Sequence, residues 1–178
     1  MDKQIDVAVI MGSDSDLPTV AETLKIFDKF EIKYSVNIAS AHRTAEFVKQ
    51  CVNNAENNGV KVFIAVAGMS AALPGVIASE TILPVIGVPM EGKALAGMDA
   101  LFSIAQMPPS IPVACVSLGK AGAVNAAILA VEILAVNDKS VYEKLVEYRK
   151  QMKKKILDKD EKLNKIGYEK YLVEELKR

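Results

Sequence analysis

The chain of 178 residues has no tryptophan, one histidine and two cysteines. A single imidazole, His42, excludes any metal site or acid–base scheme built from several histidines of one chain. Lys and Arg together number 22, as do Asp and Glu, so there is no net charge to draw a polyanion. That balance argues against nucleic acid as the main partner and leaves a small ligand as the expected one. Cys51 and Cys115 lie in apolar segments without CxxC spacing, and the opening MDKQIDVAVI is not a secretory signal. A cytoplasmic protein with two reduced thiols is expected. Long apolar runs are missing as well. The most apolar window, Ala121 to Val136, is interrupted by Asn125 and Glu132 and is too short to cross a bilayer, so it predicts a buried helix and no membrane partner.

What the chain does have is aliphatic bulk: 51% of residues are hydrophobic and only 6% aromatic, which suits one compact domain. The zero charge averages two unlike regions. Residues 1–138 carry 9 basic and 14 acidic side chains, a net −5, whereas 139–178 carry 13 and 8, a net +5. This divides the chain into a single α/β catalytic domain, 1–138, and a charged C-terminal helical extension, 139–178. In the extension Val141, Leu145, Tyr148 and Met152 form one apolar stripe, Val173 and Leu176 are late apolar residues, and Gly167 is an expected break. Such a helix is expected to pack along a neighbouring subunit.

Five short, β-branched apolar runs recur at Ile5–Met11, Ile32–Ala39, Lys61–Ala67, Leu83–Pro89 and Pro112–Leu118. Segments of helical spacing separate them, among them Leu17, Val20, Leu24 and Phe27, then Phe47, Val48, Cys51 and Val52. Strand alternating with helix predicts βαβ units and a five-stranded parallel sheet. The Ala- and Gly-rich stretch from Gly68 to Ala135 predicts close-packed helices covered on nearly every face, with another subunit as the expected cover.

Ligands of parallel sheets bind beyond the carboxyl ends of the strands, so the loops there are the place to look for chemistry. After the first run comes Gly12-Ser13-Asp14-Ser15-Asp16, in which Gly12 permits a tight turn and hydroxyls precede a helix N-terminus. Ser15 or Asp16 could serve only as a helix cap, but capping accounts for one polar residue and not four in succession. Asp16 suits ribose hydroxyls, and the loop as a whole suggests a ribose phosphate. After the second run, Ser40-Ala41-His42-Arg43-Thr44 offers a proton carrier, a forked cation for phosphate and, at Thr44, an expected helix cap. The later loops, Gly68–Gly75, Gly87–Lys93 and Gly119–Asn125, are weaker signals; Lys93 and Lys120 read equally as solvated.

Taken together, MGSDSD, SAHRTAE, LPVIGVP, GMDALFSIAQMPPSIPVA and GKAGAVNAA resemble the PurE family of purine biosynthesis, in its bacterial branch of N5-carboxyaminoimidazole ribonucleotide mutases. The resemblance runs in order from Ile5 to Leu134. It implies a flavodoxin-like three-layer α/β/α sandwich and a cytoplasmic homo-octamer. The implied reaction moves a carboxyl group from N5 to ring carbon C4, with CO2 as an enclosed intermediate and without ATP, metal, biotin or another cofactor. By the same resemblance His42 is catalytic and Ser13, Asp16 and Arg43 bind substrate. Gly12, Ser15, Ser40, Gly68, Ser70, Ala71 and Leu73 belong to further pocket segments.

Two features separate this chain from the usual patterns. Mutases commonly read AHLPG where this chain has Ala71-Ala72-Leu73-Pro74-Gly75, so a second histidine is replaced by Ala72. The related carboxylases, which use free CO2 and aminoimidazole ribonucleotide, commonly have Lys after the histidine, where this chain has Arg43. Arg43 and the loop after the fourth run favour the mutase, while Ala72 keeps the carboxylase as an alternative. A non-enzymatic flavodoxin-like module is the third reading. A phosphoacceptor version lacks an Asp at the end of the third run, and a flavin version lacks an aromatic in the later loops before Phe102.

Overall fold

A computed structural model describes residues 4–176. Five parallel strands, β1 (Val7–Met11), β2 (Tyr34–Ile38), β3 (Val62–Ala67), β4 (Val85–Pro89) and β5 (Ala114–Cys115), form one sheet in the order β2-β1-β3-β4-β5. Around it lie α1 (Leu17–Phe30), α2 (Ala45–Asn57), α3 (Leu73–Glu80), α4 (Met98–Ala105) and α5 (Gly119–Ala135), followed by α6 (Lys139–Ile166) and the short α7 (Tyr168–Tyr171). This is the α/β sandwich expected from the alternation of runs.

The alternating side-chain directions of a strand explain the two cores. Val7, Val9 and Met11 of β1 join Val62, Ile64 and Val66 of β3 on the face covered by α1, α5 and the start of α6. Ala8 and Ile10, with Phe63 and Ala65, face the other way, onto α2, α3 and α4. Every residue of β1, β3 and β4 is buried, which is why those runs are apolar without alternation.

The fifth run is cut short. Only Ala114 and Cys115 pair with β4, although the Val116 N–H extends the contact to the Gly87 carbonyl at 3.1 Å. Pro112 has no N–H to give to a ladder, so the first part of the run stays outside it.

The expected outside cover for the Ala-rich helix is supplied largely from within the chain. Ala123, Ala126, Ala127 and Ala130 of α5 are wholly buried in the core shared with the sheet, α1 and α6. The Thr23 hydroxyl of α1 donates to the Ala123 carbonyl at 2.8 Å, satisfying a buried polar pair at that close approach. Gly122 is required there: a Cβ would fall 1.6 Å from the Ser117 carbonyl oxygen.

The first half of the charged extension packs on its own chain. Asp138 caps α6 by accepting from the Ser140 and Val141 N–H groups at 2.9 and 3.2 Å. Val141 is buried, Leu145 and Tyr148 pack against the core, and Gly167 ends the helix with φ 80°. Met152 is 48% exposed and the helix beyond it leaves the core. Lys177 and Arg178, counted in the charge of the extension, lie outside the described residues. No helix among the described residues is long and apolar enough to cross a membrane.

Candidate active site

Because all strands are parallel, the loops that follow β1 to β4 emerge on one edge, and β1 and β3 flank the point where the strand order reverses. Three backbone bonds keep those loops level: Gly12 N–H to the Val66 carbonyl (3.1 Å), Ala39 N–H to Met11 (2.9 Å) and Met90 N–H to Ala67 (2.9 Å). Between them lies a cavity of about 900 Å³.

The β1 loop lines it with Gly12, Ser13, Ser15 and Asp16. Ser13 caps only the short 3-10 turn Asp14–Asp16 that leads into α1: its hydroxyl accepts from the Ser15 N–H (3.3 Å) and hydroxyl (2.8 Å) and donates to Asp14 (3.2 Å). Asp16 occupies the N-cap position of α1 without a capping bond from its side chain, which leaves its carboxylate to the cavity. Burial pushes the Asp16 carboxyl above the ordinary value; backbone hydrogen bonding at Ser13 opposes this and the Asp14 charge adds to it. Gly12 is not there for its backbone. Its φ is not positive, and a Cβ would meet only the Val66 carbonyl, at 3.9 Å, so what the missing side chain leaves is room in the cavity.

From the β2 loop Ser40, Ala41, His42 and Arg43 reach the cavity. Arg43 donates through its guanidinium to the Gly12 carbonyl (3.3 Å), and both its backbone N–H and its Nε lie against the Ser40 hydroxyl at 3.3 and 3.4 Å. Thr44 stands at the N-cap of α2 but does not cap it. Its hydroxyl accepts from the Ser40 N–H at 2.9 Å and donates to the Ser40 carbonyl at 3.1 Å, closing the turn that presents His42.

The β3 loop contributes Gly68, Ser70, Ala72 and Leu73. Ala71 is not among the lining residues; it is 2% exposed and belongs to the core under the loop. Gly68 brings the loop against β4, since a Cβ there would sit 3.2 Å from that of Met90. Met69 lines the cavity in left-handed backbone, φ 56°, with its side chain 73% exposed.

The far wall was only partly legible. Met90, Glu91 and Lys93 come from a loop that read weakly in sequence, and Asp99 of α4 was missed. The available signal was an acidic residue directly after Gly97-Met98 in a helix that is apolar apart from it and Ser103. Within one cavity, then, stand the chain's only imidazole, a forked cation, paired serines and carboxylates on both sides. That set can bind an anion and hydroxyls at one end and transfer a proton beside them.

Residues 6–155 match the sequence model of the AIR carboxylase family. The chain belongs to that family. It is 49% identical over 168 residues, 94% of each chain, to a protein of Pyrococcus horikoshii named N5-carboxyaminoimidazole ribonucleotide mutase. A Bacillus subtilis protein of the same name is 47% identical over 157 residues, covering 88% of this chain and 97% of its own. Among solved structures, that of Treponema denticola PurE superposes with a TM-score of 0.81 at 32% identity, over 88% of this chain and 97% of that one. Fold and family thus agree with what the sequence motifs implied.

Proposed function

We propose that this protein moves the carboxyl group of N5-carboxyaminoimidazole ribonucleotide from the exocyclic nitrogen to ring carbon C4. The observation that carries the reading is that His42, the chain's only imidazole, lines the same cavity as Arg43, Ser13 and Asp16. The shared name of relatives near half identity over nearly the whole chain supports it. Arg43 and the Ser13 loop suit the phosphate, and Asp16 suits the ribose hydroxyls.

Protonated His42 gives its proton to the carbamate nitrogen; the N–C bond breaks, its electrons stay on nitrogen, and CO2 is released. Ring carbon C4, enamine-like in the resulting amine, attacks the CO2 carbon. The tetrahedral C4 then loses its proton to His42, which returns to its starting state. One imidazole performs both transfers because the position commonly held by a second histidine is Ala72, on the wall of the same cavity. Gly68, Ser70 and Ala72 leave space beside the ring in which CO2 is held until it is attacked.

We further place the protein in the cytoplasm as a homo-octamer, with 1–138 as the catalytic unit and 139–178 as its extension. Apolar side chains at the surface support association, among them Leu95 (60% exposed) and Phe102 (56%). Two unpaired thiols suit a reducing compartment. The decisive experiment supplies wild-type protein with the carbamate substrate, without ATP, and in parallel with aminoimidazole ribonucleotide plus bicarbonate. Preferential conversion of the carbamate is expected, and a clear preference for free CO2 would overturn the reading. Light scattering checks the octamer.

A further inference from the structure

Among the described residues, one buried side-chain oxygen has no hydrogen-bond partner: Oδ1 of Asp99. Buried acceptors are nearly always paired, so an unpaired one on a cavity wall marks a place where a donor belongs. Asp99 lines the same cavity as His42, on an element that follows β4 where His42 follows β2. It is held there firmly. Gly97 precedes it in left-handed backbone, φ 83°, and so close to the β4 loop that a Cβ would lie 3.0 Å from the Met90 carbonyl oxygen. The first turn of α4 is closed by the Leu101 N–H on the Gly97 carbonyl at 2.9 Å.

The sheet order sets the distance between the two sides. Arg43 and Ser13 stand on the loops after β2 and β1, whereas α4 follows β4, two strands beyond β1. At about 4.8 Å per strand this puts the α4 side roughly 10 Å from the β1 loop. Standing on that side, away from the Arg43 and Ser13 donors, the Asp99 carboxylate is not a partner for the phosphate. As an acceptor it selects N–H or O–H donors. We infer that Asp99 is a specificity-determining residue that accepts a hydrogen bond from the exocyclic amino nitrogen of the substrate's aminoimidazole ring. This rests on the proposed function for the identity of the ring. In that reaction the nitrogen lone pair feeds the C4–CO2 bond, its N–H groups become more acidic, and an acceptor facing them is strengthened as the bond forms.

The test compares two ligands that share the phosphate end. Aminoimidazole ribonucleotide has the N–H group; ribose 5-phosphate lacks it. Calorimetric titration of wild type, Asp99→Ala and Asp99→Asn is expected to show aminoimidazole ribonucleotide binding Asp99→Ala about 10- to 100-fold more weakly, the span of a hydrogen bond to a charged group. Asp99→Asn, which keeps the shape and an acceptor oxygen, should fall between, and ribose 5-phosphate should bind all three alike. Equal affinity of aminoimidazole ribonucleotide for all three proteins would overturn the inference. So would a matching loss for ribose 5-phosphate, which would make Asp99 a structural residue. If wild type binds both ligands but does not convert the carbamate, the proposed function fails while the titration still reads the role of Asp99. Asp99→Asn also serves if the Ala variant does not fold. In the turnover assay Asp99→Asn should lower kcat, not merely raise KM.

Discussion

The guanidinium of Arg43 donates to the carbonyl oxygen of Gly12 at 3.3 Å and so ties the loop after β2 to the loop after β1. One fork serves the frame, and its remaining donors serve whatever anion enters. Arg43→Ala should therefore weaken ribose 5-phosphate binding by about 10- to 100-fold, the span of charge-assisted hydrogen bonds. Arg43→Lys should recover only part of it, because a compact ammonium lacks the planar fork whose separate nitrogens reach Ser40, Gly12 and a ligand together. Titration calorimetry checks both, and full recovery by Lys would show that only charge matters.

His42 is exposed and contributes little to the core. His42→Asn is expected to leave stability within about 0.5 kcal/mol of wild type, as surface changes do. Turnover of the carbamate substrate should fall about 100- to 10,000-fold with product binding retained, since both proton transfers lose their carrier. Substantial residual turnover would remove His42 from the mechanism.

Asp16 should show the conflict between binding and stability. Burial raises its carboxyl above the ordinary 3.8, so over the window from that value upward the folded chain holds a proton that the unfolded chain has released. Stability then falls as pH rises through the window, and at neutral pH the ionised group carries a cost in the folded state. Asp16→Asn is expected to raise the unfolding midpoint of the ligand-free protein at pH 7 while weakening ribose 5-phosphate binding. Wild-type KM should begin to rise on the acid side at a higher pH than an ordinary aspartate would give. Thermal melts at pH 7 and a pH profile of KM test the two halves; a lower midpoint for Asp16→Asn contradicts the first.

Gly122 is fixed by packing alone. A Cβ would meet the Ser117 backbone at 1.6 and 2.7 Å, and backbone cannot rotate aside as a side chain can. Gly122→Ala should cost about 3 kcal/mol or more, whereas Ala121→Ser, one residue earlier and exposed, should stay within about 0.5 kcal/mol. Denaturant unfolding of the pair checks it.

The runs that became β1, β3 and β4 were legible because strands buried on both faces must be apolar throughout. Strand order came only from the fold, which sets β1 beside β2 and so brings Ser13 and Arg43 together. What escaped depends on which of two equivalent partners a group chooses. Thr44 precedes a helix in the sequence of a good cap, yet its hydroxyl bonds Ser40 instead. Gly12 looked like a turn glycine and is one by vacancy of side chain, not by φ. Asp99 went unread because an acid in the first turn of a helix is accounted for by the helix dipole alone, and only the folded cavity wall shows its oxygen unpaired. The Ala-rich face of α5 declared that it needed a cover without declaring that α1 and α6 supply most of it.

Helix α6 contains two different surfaces, and paired substitutions separate them. In its first half the Tyr148 ring stands 5.3 Å from that of Phe30, edge to face, with the Lys29 ammonium 4.5 Å from its centroid. Arg149 pairs with Glu132 at 2.5 Å and Lys144 with Glu31 at 2.6 Å, so this half belongs to the folded unit. Tyr148→Ala should cost about 2 kcal/mol, from lost apolar area and the aromatic pair. Farther on, Ile156 is 65% exposed and Leu157 57% exposed, in a region counted among the basic 40 residues that follow a body of net −5. In the proposed octamer, opposite charge on tail and body would favour contact between copies there, and those two apolar side chains are the ones to test. Changing both Ile156 and Leu157 to Glu should leave denaturant unfolding of the subunit within about 0.5 kcal/mol and lower the assembled fraction seen by light scattering at micromolar protein. An assembly that persists unchanged would place the contact between copies elsewhere, with the exposed Leu95 and Phe102 surface as the next to be altered.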